Sequence, residues 1–318
     1  VHLHRNLSAH HSDDVLILEA RDRLGGRTWS SNVLDHKFEM GGQWVHWNQP
    51  HVFSEMQRYH MGTDLEDTKA SYDLNTLIFN HDGQGAEALS NPIEILKEMD
   101  ICAQDFFDVD GQRGRLIFPQ PYSPLLNIDH IKKYDHLSVQ DRFNEISSKH
   151  SAKIIALTSS MIASFGNDDP NRVGFIDALK CANYHSIFDF AITNIDSSSG
   201  TFIVSFINSN TIALSDETIP SLIKVFKKDL VPSTHDLEFT HVIGHDWILD
   251  PYSKGVWCCF GPGVMSSDGY RQMSKMKVTE RLWMVSSDWA DGWRGFIDGA
   301  IEMGAKAAWS ILSEELSS

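Results

Sequence analysis

Cysteine is scarce in this chain: four residues in 318, at Cys102, Cys181, Cys258 and Cys259. Two are adjacent and no pair has CxxC spacing, so neither a zinc site nor a disulfide framework is expected, and free buried thiols of a reducing compartment are. Long apolar runs are missing too. Nothing approaches the ~18 residues that span a bilayer, so no membrane segment is expected. Basic residues are outnumbered, 27 Lys and Arg against 43 Asp and Glu, for a net charge of −16. That deficit argues against nucleic acid and anionic membrane as partners, since both need a basic face; it is compatible with a cationic small molecule. Val1-His2-Leu3-His4-Arg5 has no h-region and no initiator Met, and Glu315-Leu316-Ser317-Ser318 is not a peroxisomal address. An intracellular, cytoplasmic location is the expectation. The last absence is a glycine-rich phosphate turn: no GxGxxG occurs anywhere.

What remains is the composition of a folded chain, 42% hydrophobic and 22% charged. Val15-Leu16-Ile17-Leu18-Glu19 is a short apolar run closed by an acid and predicts a buried parallel strand. A charged turn with paired glycines follows, Ala20-Arg21-Asp22-Arg23-Leu24-Gly25-Gly26-Arg27-Thr28. A second pair, Gly41-Gly42, precedes an aromatic cluster of Trp44, His46 and Trp47. Helices are predicted over 50–61, Ile93–Phe107, Val139–Ile146 and 151–164, from Ser215 to near Leu230, and over Gly299–Leu316. Strands are predicted at Ser186–Ile192, Thr201–Ile207 and Trp283–Ser287. There is no internal repeat.

In a dinucleotide-binding βαβ unit, the acid that ends the second strand accepts hydrogen bonds from the adenosine ribose, and the phosphate turn lies ~20 residues earlier. Glu19 is placed to be that acid, but counting back runs off the front of the chain. On its own, Val15–Glu19 could equally be any buried strand. The longer stretch Glu-Ala-Arg-Asp-Arg-x-Gly-Gly-Arg-Thr resembles the signature of the flavin amine oxidase superfamily. Glu39-Met40-Gly41-Gly42-Gln43-Trp44-Val45-His46-Trp47 is similar to the family segment that passes the isoalloxazine ring. Ser286-Ser287-Asp288-Trp289-Ala290-Asp291-Gly292-Trp293-Arg294-Gly295-Phe296-Ile297-Asp298-Gly299-Ala300 resembles the strand–loop–helix that closes the cofactor site. The wording around Trp44–Phe53 is closest to fungal and bacterial monoamine oxidases.

The resemblance implies a mixed α/β fold: an incomplete Rossmann-like FAD-binding domain from residues 1–63 and 241–318, with a helical and antiparallel substrate domain in 64–240. It implies non-covalent FAD held by Glu19, Arg21, Gly25, Gly26, Arg27, Thr28, Gly41, Gly42, Gln43, Trp44, Trp247, Asp288, Gly295, Phe296 and Ile297. The position that carries a tethering Cys in some members is Val256. The segment Lys254–Gly263 would be a second flavin-contacting strand. Trp257 and Phe296 would form an aromatic cage that orients an amine, with two ordinary core aromatics as the plainer alternative. The implied reaction is oxidation of a primary or secondary amine to an imine, and so to an aldehyde, with dioxygen reduced to hydrogen peroxide. Polyamine oxidase and L-amino-acid oxidase share these motifs. So would a truncated relative that binds flavin weakly or not at all, a reading the missing glycine turn supports; residues 12–62 and about 171–312 match the family well and the middle poorly. A Lys beside the flavin is also implied, but Lys180, Lys224, Lys227 and Lys228 are not in its context. No metal is expected: His2, His4, His10 and His11 read as a solvated helix end, within a helix tail at 1–11.

Overall fold

The computed structural model describes residues 16–33, 35–63, 65, 77–80, 86–166, 168–182, 215, 217–229, 236, 238, 239 and 241–315. In chain order the elements are β1 (Ser30–Val33), β2 (His36–Glu39), α1 (Pro50–Arg58), β3 (Leu77–Asn80), β4 (Ala86–Leu89), α2 (Pro92–Phe107), α3 (Ile128–Tyr134), α4 (Val139–Ile146), α5 (Ala152–Gly166), α6 (Phe175–Ala182), α7 (Ile219–Asp229), α8 (Asp268–Met273), β5 (Lys277–Thr279), β6 (Leu282–Trp283) and α9 (Ile297–Glu315). Among the described residues the strands form three two-stranded antiparallel ladders, β1–β2, β3–β4 and β5–β6. Among these residues no helix is long and apolar enough to cross a membrane.

The largest core lies in the helical middle. Phe106 of α2, Phe143 of α4 and Phe175 of α6 are fully buried, and their rings meet, Phe106 to Phe143 at 4.4 Å and Phe106 to Phe175 at 5.3 Å. Met99, Ile131, Ile162, Ile176 and Leu179 complete it. Local chemistry fixes where these helices begin. At α4 the Ser138 hydroxyl accepts from the Asp141 amide and the Asp141 carboxylate accepts from the Ser138 amide, a capping box. The Ser138 hydroxyl, which also donates to the Asp141 carboxylate at 2.7 Å, and the Ser138 amide hold the Asp141 carboxyl below its ordinary range. Pro50 and Pro92 open α1 and α2 at the first turn, where a missing N–H costs nothing.

Helix α1 has no side-chain cap of its own. Its Val52 amide instead donates to Asp298 Oδ1 of α9 at 2.8 Å. One of the orphan donors of a helix start is thus satisfied from the far end of the chain, and the two helices pack together. Asp298 is fully buried, and burial pushes its carboxyl above the ordinary value.

The structure corrects several sequence expectations. Leu16–Glu19 is not a buried parallel strand: it has no ladder partner among the described residues, and Leu16 and Leu18 are 80% and 84% exposed. Apolar composition alone does not bury a strand, which needs neighbours on its hydrogen-bonding edges. The segment Lys254–Gly263 runs in turns and irregular backbone rather than as a strand, and Trp283–Ser287 is a strand only at its first residue before a 3-10 turn at Ser287–Trp289. The hairpins β1–β2 and β3–β4 were not foreseen. The expected strands Ser186–Ile192 and Thr201–Ile207 and the helix tail 1–11 lie outside the described residues. The predicted helices α1, α2, α4, α5, α7 and α9 are present, with ends within a few residues. The four cysteines are free thiols, Cys102 buried and the others half-buried.

Phe106→Ala should lower unfolding free energy by about 3–5 kcal/mol in chemical denaturation, because it removes a ring that touches three others and leaves a cavity among packed helices. A loss below about 1 kcal/mol would show that the three-ring contact does not anchor the helical core.

Candidate functional site

The β1–β2 hairpin brings the first two glycine motifs together. Its register pairs Ser30 with Glu39 and Val33 with His36, and the turn is closed by Asp35 at φ 61, a conformation that Asp tolerates. Beyond the ladder, the Met40 amide donates to the Trp29 carbonyl at 2.7 Å and the Gly42 amide to the Arg27 carbonyl at 2.9 Å. Gly25-Gly26-Arg27-Thr28 and Gly41-Gly42 therefore lie side by side at the open end of one hairpin. A Cβ at Gly41 would run into the Arg27 carbonyl, so only glycine allows this approach. Gln43 follows, half-buried, and then Trp44, 37% exposed.

The C-terminal motif meets the same hairpin end. Arg27 Nη2 donates to both carboxylate oxygens of Asp288 at 2.8 Å and to Ser287 Oγ at 3.2 Å, while Nη1 donates to the Val256 carbonyl. A Cβ at Gly42 would touch Thr28 Oγ1 at 3.2 Å and the Ile297 side chain at 3.3 Å. Trp247 Nε1 donates to the Met40 carbonyl at 2.9 Å. Gly295 sits at φ 81, and a Cβ there would lie 2.9 Å from Trp257 Cβ. Trp257 thus packs on the residue before Phe296, and is itself 42% exposed.

At the other end, Arg21 donates to Asp250 Oδ1 at 2.5 Å and Ser253 Oγ at 2.9 Å. Burial works against the charge on Asp250, but the Tyr252 and Ser253 amides, His245 and Arg21 hold its carboxyl well below the usual carboxylate range. Arg23 lies over the Trp29 ring at 4.4 Å and donates to the Gly26 carbonyl at 2.9 Å. Glu19 is exposed, and its Oε1 accepts from the Arg21 amide at 3.0 Å.

Sequence reasoning passed over four residues here. His46 stacks on Trp293 at 5.4 Å and meets the edge of Phe296 at 6.1 Å; its place inside Trp-Val-His-Trp was the available signal. The other three form a buried polar knot. Arg294 and Asp177 pair at 2.5 Å with side chains 2% and 3% exposed. Arg294 also donates to Tyr270 Oη at 2.7 Å and lies over the Phe260 ring at 4.3 Å. Burial opposes the charge of Arg294, but the Asp177 carboxylate prevails and holds it protonated. Lys180, one turn along α6 from Asp177, is buried and donates to the Gly292 and Ala290 carbonyls at 3.3 and 3.5 Å. Burial, with Arg294 nearby, pulls its ammonium down to about 8. No sequence signal marks Asp177 and Lys180 beyond their lying on an amphipathic helix.

Residues that could hold a flavin lie at one end of this arrangement. Gly26, at φ 58, has nothing within 4 Å of the position of a Cβ, so a ligand can approach its backbone closely. Asp288, Gly42 and the start of α9 lie around the same hairpin end, and a helix start offers amides without partners in the helix. Around Glu19, the expected ribose-binding acid, there is no ladder among the described residues.

The family described as flavin containing amine oxidoreductase matches residues 5–174 and 182–312. That match runs through residues 64–170, where motif reading found little resemblance. The chain is 24% identical to pseudooxynicotine dehydrogenase of Pseudomonas sp over 418 positions, covering 94% of this chain and 81% of the relative. That alignment is longer than the chain itself, so the relative has segments with no counterpart here. Nicotine dehydrogenase of Pseudomonas putida (strain DSM 28022 / S16) is 35% identical over 180 residues, 55% of this chain and 35% of that protein. The fold is similar to that of cyclohexylamine oxidase from Brevibacterium oxydans IH-35A, at a TM-score of 0.59 and 13% identity, covering 100% of this chain and 97% of that one. The mixed helix-and-sheet architecture is thus that of an incomplete α/β flavin-binding fold.

Lys180 gives the site a testable pH dependence. A lysine whose folded value falls from 10.5 to about 8 binds its proton less well folded than unfolded. Its contribution is therefore present above the unfolded value and is lost as pH falls from 10.5 through 8, by at most roughly 3 kcal/mol. The buried thiols titrate oppositely in the same window, since burial raises Cys181 and Cys258 to about 11. The measurement is the difference between wild type and Lys180→Met in denaturation free energy at pH 8 and pH 10.5. Wild type should gain on the variant as pH rises, and parallel profiles would contradict a buried charged amine.

Proposed function

The chain belongs to the flavin containing amine oxidoreductases, and from that membership we propose that it binds FAD without a covalent tether and oxidises a small primary or secondary amine. The observation that carries this reading is the position of Arg27. One guanidinium joins the paired glycines of the first motif to Asp288 of the last and to the carbonyl next to Trp257. Three stretches far apart in sequence thereby surround one place. The Arg27–Asp288 pair is about one-third exposed on each side, so its attraction is screened and its value is orientation more than stability.

In this reading the amides of Gly25–Gly26 and the Arg27 side chain would hold the cofactor pyrophosphate. Asp288 would hold the ribityl chain, and the start of α9 at Phe296–Ile297 would hold the flavin ring. Bound flavin supplies the two-electron acceptor for the amine. The aromatic faces of Trp257 and Phe296 hold the neutral amine with its α-carbon toward that acceptor, and His46 and Trp293 back the Phe296 ring. No side-chain base is needed for a neutral amine. The α-carbon loses a hydride equivalent and the nitrogen a proton, giving an imine that water hydrolyses to the carbonyl compound and the free amine. Dioxygen accepts the two electrons and becomes hydrogen peroxide. Arg27 and Arg294 are committed to Asp288 and Asp177, which does not favour a substrate carboxylate.

A second reading is supported by the exposure of Leu16–Glu19, which has no ladder partner among the described residues: a member of the family that holds flavin weakly or not at all. The colour of the purified chain, and a titration with FAD followed by flavin fluorescence, separate the two. A folded, colourless chain that leaves FAD fluorescence unchanged would reject the enzyme reading for this molecule.

In a flavin-loaded chain, Trp257→Ala should cut amine turnover about 100-fold or more while flavin content falls little, because the ring orients substrate and the cofactor is held by other contacts. Measuring bound flavin and turnover in the same preparation decides the matter. Equal losses of both would reduce Trp257 to a packing role.

A further inference from the structure

A single carboxylate bonds to both of the segments that carry the rings of the proposed cage. Asp177 Oδ1 accepts from Arg294 Nη1 at 2.5 Å, two residues before Phe296. Asp177 Oδ2 accepts from the Phe260 amide at 2.7 Å, three residues after Trp257. The Gly174 amide, at the start of the same helix, donates to the Phe260 carbonyl at 2.9 Å. Lys180, a turn further along α6, donates to the Ala290 and Gly292 carbonyls on the loop that carries Arg294. One face of α6, itself rooted in the helical core through Phe175, Ile176 and Leu179, thus grips the two segments that bear Trp257 and Phe296.

From this geometry we propose that Asp177 is a positioning residue for amine oxidation: it sets the separation of the Trp257 and Phe296 segments by bonding one with each carboxylate oxygen. The inference rests on the cage reading given above. Packing alone does not call for such a device. Arg294 and Asp177 pair with both side chains buried, and ion pairs of this kind are commonly replaced by apolar residues without loss of stability. What an apolar replacement cannot supply is direction, since a carboxylate fixes two donors at defined angles.

The test compares wild type with Asp177→Leu/Arg294→Met, which removes both charges together and avoids leaving a buried arginine unpaired, as Asp177→Asn does. Amide hydrogen exchange is measured on the full chain without added flavin. The double variant is expected to keep its thermal midpoint within about 5 °C and to exchange at least ~10-fold faster over 257–260 and 292–297, with α2, α4 and α5 unchanged. In the FAD-loaded chain kcat should fall at least ~10-fold with KM within about threefold, since a misoriented cage affects the reacting geometry more than binding. Wild-type exchange in those two segments would overturn the proposal, as would raised exchange with kcat unchanged. If wild type takes up no FAD, the proposed function fails, and the exchange comparison still decides whether Asp177 holds the two segments.

Discussion

The buried pair between Asp177 and Arg294 is the constraint on which the arrangement of the site depends. It joins helix α6, the inner wall of the best-packed region, to the loop that leads into α9. Taking both charges out of water costs several kcal/mol per ion before any attraction is counted. That cost is partly offset here: Asp177 accepts from Arg294 and from the Phe260 amide, and Arg294 also donates to Tyr270 and lies over Phe260, although its Nε has no hydrogen-bond partner among the described residues. Once Arg294 is fixed, Gly295 has little choice of place, and the Trp257 side chain closes against it.

The other half of the site depends on a hairpin rather than a charge. Antiparallel pairing of β1 with β2 places residues 27 and 42 opposite one another with no long-range contact required. Such a unit is marginal alone in water. Here it is pinned by Arg27 to Asp288, by Trp247 to the Met40 carbonyl, and by α1, whose Val52 amide is held by Asp298. Both halves of the site therefore converge on residues 288–298, a short stretch that has little core of its own and borrows its rigidity from α6 and α1.

Stability and chemistry are consequently separated in this chain. The helical middle holds the rings of Phe106, Phe143 and Phe175 and most of the fully buried apolar residues. The hairpin end and the stretch before it are far more exposed, with Leu16, Leu18 and Leu24 largely in solvent. The same division explains why motif reading found the flavin end first and undervalued residues 64–170. Packing positions accept many apolar residues of similar volume, so a helical core carries little motif even where the family match is continuous.

The sequence by itself determined the family and singled out the residues of the proposed flavin site, because backbone approach and charge at a cofactor admit few residue types. Paired glycines at 25–26 and 41–42, Arg27 and Asp288 are chemically conspicuous at their spacing. It also determined the helices with clear periodicity and caps, such as α4 with its Ser138–Asp141 box. Tertiary structure alone decided that Val15–Glu19, apolar enough for a strand, has no partner over its described residues, since pairing is a property of neighbours and not of composition. It alone decided that Arg27 reaches Asp288, 261 residues away. And it alone gave Asp177 and Lys180 a role: on α6 they are two polar residues one turn apart, and only the burial of that face against residues 290–294 turns them into the support of the site.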